Sequence, residues 1–516
     1  MDGLSFRADA FNREAAHRVP LAEATLLGFA FLTDSDFLAR VYERFRGRCF
    51  EADLSFKILV NLISDALLMH RGSLLPAVEA AIKNQEFAGS PQGVYGKLGR
   101  CSQSLSQGFL SEGAARLMDV MNPPPSPVPI SLQTFEVLVI DGKKIKNVAK
   151  RLKPTRSFRG AVLGGKVLVA LDLATGLIRF MSSHEDGETN DVPLVPPLLK
   201  QLRGAPCEQP RLVVLDSQFC DLGLPRLFED NGLFYVIRWS LKTSFTRDEQ
   251  REVKLGFDKE GRKYQDEWGW MGAQSDKRRR YVRRVTLFRP GEEDVIIFTN
   301  LLDETTYPPG DLLELYRERW TLENVFQQIT EVFHLQHLIS CSPKGTIFQC
   351  AFCLMMYNML VLQRSYIVNS SPSEPEPAAA TPEPSAEKEI PAPTEKQPAV
   401  KKQTPRTANS QPIDTVPPRI TLKMFSMEKY FKDVTEELIA WHKMIPLSWT
   451  LNYFATPLTA TEMRQRLQGL LHGRWDPKWL KSPKKKYRAK TLDPPKPGGH
   501  TSVYRLIYGD PRTKAV

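Results

Sequence analysis

The sequence holds few of the residues that disulfide, soft-metal and membrane-spanning proteins need. Its 7 cysteines among 516 residues are odd in number and scattered, and the segment from Met1 to Pro20 is polar and charged, unlike a signal peptide. A disulfide framework is therefore excluded, and a reducing cytoplasm is the expected compartment. Cys350 and Cys353 form a C-x-x-C, but they lie in the apolar run Phe348 to Val361, which reads as a buried helix. With no second cysteine or histidine pair at ligand spacing, core packing is expected of them. That run is also too short and too punctuated for a membrane span, so a soluble protein with no membrane partner is expected. His334 and His337 are spaced i, i+3 without an H-E-x-x-H or a third ligand, which assigns them to packing or the surface. Gly160 to Lys166 fits G-x4-G-K, yet Val167 stands where a phosphate-binding loop needs Ser or Thr, and the segment enters a strand.

What the chain has in excess is positive charge. Its 70 Lys and Arg exceed its 59 Asp and Glu, for a net +11, which favours a polyanionic partner. The excess is concentrated: Lys143 to Arg159 carries eight basic residues, and no acid stands between Asp141 and Asp172. Lys143 and Lys144 open this block and are candidate phosphate contacts. Lys277 to Arg284 and Lys481 to Lys490 are further basic clusters, and each of the three also has a plain reading as a solvated face.

The length suits about three domains. From Leu21 to about Met121 apolar residues recur at helical spacing, as in Phe37, Val41, Tyr42 and Phe45, and the turn-rich stretch Asn122 to Ile130, with five prolines, closes this region. Short β-branched runs follow: Val137 to Ile140, Lys166 to Leu173, Leu177 to Met181, Leu212 to Leu215 and Phe234 to Ile237. Ala174 to Gly176 reads as a hairpin turn, and Leu194 to Leu202 as a helix, so a mixed sheet with flanking helices is expected. Between Ser240 and Asn300 charge alternates with Val, Tyr, Leu and Phe, the mark of an inserted β region. An amphipathic helix is expected from Pro309 to Val332. Ser370 to Pro418 holds twelve prolines with hardly an aromatic, a composition that cannot offset its chain entropy by burial, and it reads as a disordered linker. Helical periodicity returns from Leu422 to Leu471, and the tail beyond Asp476 reads as basic and loosely held.

Three acids stand out. Asp141 follows the strand Val137 to Ile140 and Asp216 follows Leu212 to Leu215, at strand ends where open sheets display reacting groups. As turn residues or helix caps they would need no chemistry. In Tyr316-Arg317-Glu318-Arg319-Trp320-Thr321-Leu322-Glu323, the residues Tyr316, Arg319 and Glu323 are spaced i, i+3 and i+7, which stacks them on one helical face. A surface ion pair between Arg319 and Glu323 would account for those two alone, and is worth only tenths of a kcal/mol, about 0.3–0.5.

These residues resemble the DDE transposases of the insertion sequence four group, whose signature is Y-x2-R-x3-E-x6-K. Tyr316, Arg319 and Glu323 match its first three positions, Val139-Ile140-Asp141-Gly142 resembles the first Asp block, and Val214-Leu215-Asp216-Ser217-Gln218-Phe219 resembles the second. The resemblance covers roughly Leu21 to Leu362. It implies an α/β fold with a ribonuclease H-like catalytic domain, interrupted by a β insertion between the second Asp and the Glu. The plan that follows is a helical N-terminal domain that is a candidate DNA-binding part (1–125), a first core segment (131–240), the β insertion (241–305), a second core segment with the Glu helix (306–368), a linker (369–418), a helical C-terminal region (419–480) and a basic tail (481–516).

The resemblance also implies the chemistry. Asp141, Asp216 and Glu323 would be the catalytic and metal-binding residues, with Mg²⁺ as cofactor and Mn²⁺ able to substitute, because hard divalent cations prefer carboxylate oxygens. Asp141 would bridge two ions; Asp216 and Glu323 would each hold mainly one. Water, then the freed 3′-hydroxyl, would attack with no covalent enzyme intermediate. Arg319 and Tyr316 would contact DNA phosphates. The partners would be double-stranded DNA, namely transposon ends and target, engaged by a homodimer in a cytoplasmic, nucleoid-associated setting. Trp239 and Trp320 are candidates for stacking on an extruded base. One position departs from the signature: its Lys falls at Thr330, which carries no charge, so a weakened phosphate contact is expected there unless another basic side chain fills the space. A stand-alone nuclease of the same fold, or a DNA-binding relative of reduced catalytic power, are the alternatives.

Overall fold

The computed structural model describes residues 2–51, 53–70, 72–146, 148–333, 335, 339–370, 424–482 and 499–510. The His334 and His337 pair, most of the Pro-rich linker (371–418) and much of the basic tail (483–498 and 511–516) lie outside the described residues.

The chain opens with helices α1 (Asp2–His17), α2 (Pro20–Leu32), α3 (Ser35–Phe45), α4 (Phe56–Leu68), α5 (Leu74–Lys83), α6 (Pro91–Arg100) and α7 (Gln103–Met118). Local chemistry sets several of their starts. The side chains of Asp34, Ser55, Ser90 and Ser102 accept from backbone N–H groups in the first turns of α3, α4, α6 and α7, and Pro occupies the first turn of α2 and α6.

The sheet begins with β1 (Glu136–Ile145), followed by α8 (Lys153–Arg156), β2 (Ala161–Leu163), β3 (Gly165–Asp172) and β4 (Ile178–His184). Strands β3 and β4 form the expected hairpin: Asp172 accepts from Ala174 N (3.1 Å) and Thr175 Oγ1 (2.8 Å), and Gly176 takes the left-handed conformation at φ +76°. Then come α9 (Val195–Gly204), β5 (Arg211–Leu215), α10 (Gly223–Glu229) and β6 (Phe234–Arg238). β1 pairs antiparallel with β3 and parallel with β5, which pairs parallel with β6, so the strand order is β4-β3-β1-β5-β6. Three antiparallel strands continued by two parallel ones are the ribonuclease H-like arrangement.

The inserted region contains β7 (Phe245–Arg247), β8 (Lys254–Phe257), β9 (Lys263–Met271), β10 (Arg280–Leu287) and β11 (Val295–Thr299). It is not a separate β unit. β11 pairs antiparallel with β6, and the same sheet runs on through β10 and β9 to β7 and β8. Its base is fastened by the buried Arg283, whose guanidinium donates to Asp266 (2.7 and 2.9 Å) and to the carbonyl of Tyr307 (2.7 Å).

After the sheet come α11 (Pro309–Arg317), α12 (Trp320–Glu331) and α13 (Pro343–Asn369), then α14 (Met427–Met444), α15 (Leu447–Tyr453) and α16 (Ala460–Leu471). The single helix expected from Pro309 to Val332 is thus two. The step at Glu318 and Arg319 is made by i→i−3 hydrogen bonds, Glu318 N to Leu315 O and Arg319 N to Tyr316 O. The expected apolar helix is also longer, at 27 residues, and among the described residues it is the one helix long and apolar enough to cross a membrane. Its most apolar stretch is fully buried inside the fold. The polar residues of α13 tie it to its neighbours: Asn358 bonds both backbone groups of Ile178 (2.8 Å each), Thr346 donates to Gly164 O (2.7 Å), and Gln363 meets Thr25 (3.2 Å) and Tyr430 (2.7 Å). Around it one apolar core joins the N-terminal helices, the C-terminal helices and one face of the sheet; a second core lies behind the sheet under α9 and α10. Cys350 and Cys353 belong to the first core, where burial pushes both thiols up.

The tail departs from the loose segment expected beyond Asp476. Trp479 is buried, Leu480 bridges to Phe425, and the chain returns as β12 (His500–Ser502) and α17 (Val503–Tyr508). β12 pairs parallel with β2, and Arg505 donates to Asp186 (2.8 Å) and Glu188 (2.6 Å). Backbone pairing and a buried ion-pair cluster are what a composition rich in Lys and Pro does not reveal.

Candidate active site

Alternation along two strands sets the position of the first two acids. Val137 and Val139 of β1, with Leu212 and Val214 of β5, face the core shared with the helices; Leu138, Ile140, Val213 and Leu215 face the core behind the sheet. The parallel ladder ends at the pair Val139 and Val214. Two residues further on each strand, Asp141 and Asp216 therefore emerge side by side on the helical face, one strand spacing apart, about 4.8 Å. Asp216 directly follows β5, as expected, but Asp141 does not end its strand: β1 continues to Ile145, and Asp141 is still paired with Val169 of β3.

Burial pushes the Asp141 carboxyl up to about 6 against the opposing pull of the Gly142 N–H and Arg319; Asp216 and Asp191 add to the rise. Asp141 Oδ1 accepts from Gly142 N at 2.8 Å. Gly142 has no room for a side chain, since a Cβ there would lie 1.9 Å from Asp191 Oδ1, and Asp191 is itself paired with Lys166 at 2.8 Å in the interior.

The step between α11 and α12 delivers the rest. Arg319 is buried, with Nη1 2.8 Å from Glu323 Oε1 and 3.6 Å from Asp141 Oδ2. Its guanidinium lies 5.1 Å from the centroid of Trp320 and 5.9 Å from that of Tyr316. Glu323 is half-buried. Arg319 thus links Glu323 to Asp141. No group of three acidic, His or Cys side chains among the described residues is gathered closely enough to hold a metal ion. Among the described residues Arg319 Nε lacks a hydrogen-bond partner, and the hydroxyl of Tyr316, which burial pushes up to about 12, has Arg319 beside it.

The basic candidates divide. Lys143, two residues past Asp141 on the same face, reaches α12 and donates to Phe326 O at 3.1 Å. Lys144, by strand alternation, falls on the opposite face, opposite Lys166 of β3, and is not brought to the acids. Thr330 Oγ1 donates to the same Phe326 carbonyl at 2.7 Å. Trp239 is withdrawn as a base-stacking candidate: it is buried in the core behind the sheet, edge-on to Phe298 (5.5 Å) and Phe245 (5.7 Å). Trp320 is 57% exposed beside Arg319.

Arg238 was not anticipated. The pair Leu215 and Ile237 sets Arg238 next to Asp216 in the following register position, and its Nη2 lies 3.1 Å from Glu293. A basic residue closing the strand after the Asp216 strand was the available signal.

Two adjacent aspartates thus stand at the seam of antiparallel and parallel strands of a ribonuclease H-like sheet, faced by a helix that carries a glutamate. Comparison with known families narrows this. Residues 133–359, from the entry to β1 through most of α13, match the model of the transposase DDE domain. The chain carries a transposase DDE domain and is a DNA transposase, an enzyme of a class that uses divalent metal ions. Among solved structures it is similar to the piggyBac transposase in a cryo-EM synaptic complex with hairpin DNA, at 11% identity and a TM-score of 0.37, over 87% of this chain and 86% of that one. No curated protein matches.

Proposed function

We propose that this transposase excises and inserts a DNA element by cut-and-paste, in the manner of the insertion sequence four group, with Asp141, Asp216 and Glu323 as its catalytic carboxylates. The observation that carries this reading is the adjacency of Asp141 and Asp216, continued from the Val139 and Val214 pair, with Glu323 joined to Asp141 through Arg319. Two carboxylates side by side, one raised by burial, call for a neighbouring cation, the place Arg319 now takes and a metal ion would take over.

The donor set fits hard divalent ions: all oxygen, no nitrogen or sulfur. Asp141 and Asp216 would hold Mg²⁺, which Mn²⁺ can replace, with Glu323 completing the site once Arg319 swings aside. When bound, the ions supply charge neutralisation at the phosphoryl group and activation of the attacking hydroxyl. The protein's own groups do the positioning. Arg319, released from Glu323, offers a guanidinium to a phosphate, and its unpaired Nε and the neighbouring Tyr316 hydroxyl are donors such an acceptor could take up. Trp320 offers an exposed ring beside the same place. The N-terminal helices (1–125) contact the element's ends, and two copies act together on paired ends and target DNA, in the cytoplasm at the nucleoid.

The test is incubation with Mg²⁺ and a plasmid carrying the element with its flanks. Wild type releases the element and joins it to a second plasmid, and Asp216→Asn does neither while still binding DNA. Cleavage without joining supports the nuclease alternative, and cleavage by Asp216→Asn at the wild-type rate removes the site.

A further inference from the structure

We propose that Lys143 supplies the DNA-gripping cation at this end of α12, held ready on the carbonyl of Phe326. The inference rests on the active site proposed above. Lys143 lies two residues beyond Asp141 on the same face of β1, half-buried, with its ammonium 3.1 Å from Phe326 O and 5.3 Å from the centroid of the Phe326 ring. No carboxylate among the described residues forms a close ion pair with it; Glu331 attracts it only from a distance. A cation taken partly out of water without a counter-ion is costly to keep.

Its one polar contact among the described residues is a poor substitute. The Phe326 carbonyl lies inside α12, where the helix already uses it, and it also accepts from the Thr330 hydroxyl at 2.7 Å. An ammonium sharing a crowded carbonyl gains by moving to a phosphate oxygen, and that movement sweeps it along the face where Asp141 lies. The strand-borne lysine thus occupies the space a lysine at position 330 would enter from the helix. Two ammonium groups at one carbonyl would repel, so the uncharged Thr330 is the residue that suits this arrangement. The contact is backbone-directed and independent of base sequence.

The experiment compares wild type with Lys143→Met, Lys143→Arg, Thr330→Lys and the double variant Lys143→Met with Thr330→Lys. Each is titrated with a short random-sequence duplex across a salt series and assayed for Mg²⁺-dependent nicking of supercoiled plasmid. Asp216→Asn runs alongside. Lys143→Met should lower the salt slope by about 0.9, one phosphate contact, and slow nicking by about tenfold or more. Lys143→Arg should keep the slope, the double variant should recover most of both losses, and Thr330→Lys alone should gain nothing. An unchanged slope and rate in Lys143→Met, or a double variant no better than Lys143→Met, overturns the proposal. If instead Asp216→Asn nicks like wild type, it is the active-site assignment that fails.

Discussion

Asp141 and Asp216 stand side by side because the parallel register of β1 and β5 ends at Val139 and Val214, two residues before each of them. Neither side chain has a choice of face: the alternating burial of the preceding valines and leucines turns both toward the helices. Both aspartates of the proposed site are thus placed by the sheet, while Glu323, among the described residues, is tied to Asp141 through Arg319.

In the proposed site Arg319 would have two opposed roles, neutralising the acids it now pairs with before DNA arrives and binding phosphate afterwards. Arg319→Ala should weaken duplex binding and lower its salt slope by about 0.9, yet tighten Mn²⁺ binding by the DNA-free protein, because a competing cation is gone. Calorimetric titration of both ligands checks this. Weaker metal binding in Arg319→Ala would show that the arginine organises the carboxylates instead of shielding them.

Gly142→Ala inserts a methyl group where Asp191 Oδ1 already lies, 1.9 Å from the new carbon. Either the buried Asp191 and Lys166 pair is pushed apart or β1 shifts next to Asp141. Breaking such a pair costs about 3–5 kcal/mol, so urea denaturation should show a loss of that order, accompanied by reduced nicking. Full stability and activity would mean that the Asp191 loop yields freely.

The two tryptophans once equivalent as candidates should separate. Trp239→Ala removes a core side chain wedged between Phe298 and Phe245 and should cost about 3–5 kcal/mol. Trp320→Ala removes an exposed ring and should change stability by less than about 0.5 kcal/mol while lowering cleavage. Thermal melts and nicking assays on the pair distinguish core from contact; a large stability loss in Trp320→Ala would assign it to packing.

Ending the chain before Gly499 removes the strand that pairs with β2 and strips Asp186 and Glu188 of Arg505. Since those acids flank the loop leading to Asp191, the truncated protein should exchange amide hydrogens faster between 184 and 191, read by mass spectrometry. Unchanged exchange there would make the C-terminal strand an ornament of the fold.

Much of this was legible in the sequence. The β-branched runs marked the sheet, and the hairpin at Ala174 to Gly176 and the strand-end position of Asp216 followed from local chemistry. Features that depend on pairing were not. Asp141 looked like a strand terminus because Lys143 and Lys144 follow it, yet β1 continues, with Lys143 leaning on α12 and Ile145 turned inward. Arg238 is a neighbour of Asp216 only through the register of β5 and β6. The step in the helix at Glu318 and Arg319 has no Pro or Gly to announce it; it falls where Arg319 meets Asp141 and Glu323. The polar residues that seemed to punctuate the apolar run in α13 are those that fasten it to the strands and helices around it.

The most direct test of the account measures Mg²⁺-dependent nicking of supercoiled plasmid by Asp141→Asn, Asp216→Asn and Glu323→Gln, each first shown to melt and to bind duplex DNA like wild type. Each variant should lose cleavage by about a hundredfold or more, EDTA should abolish it in wild type, and DNA binding should survive in all three. Wild-type cleavage by any one of them would remove that residue from the site, and cleavage by all three would contradict the assignment of the active site to this face of the sheet.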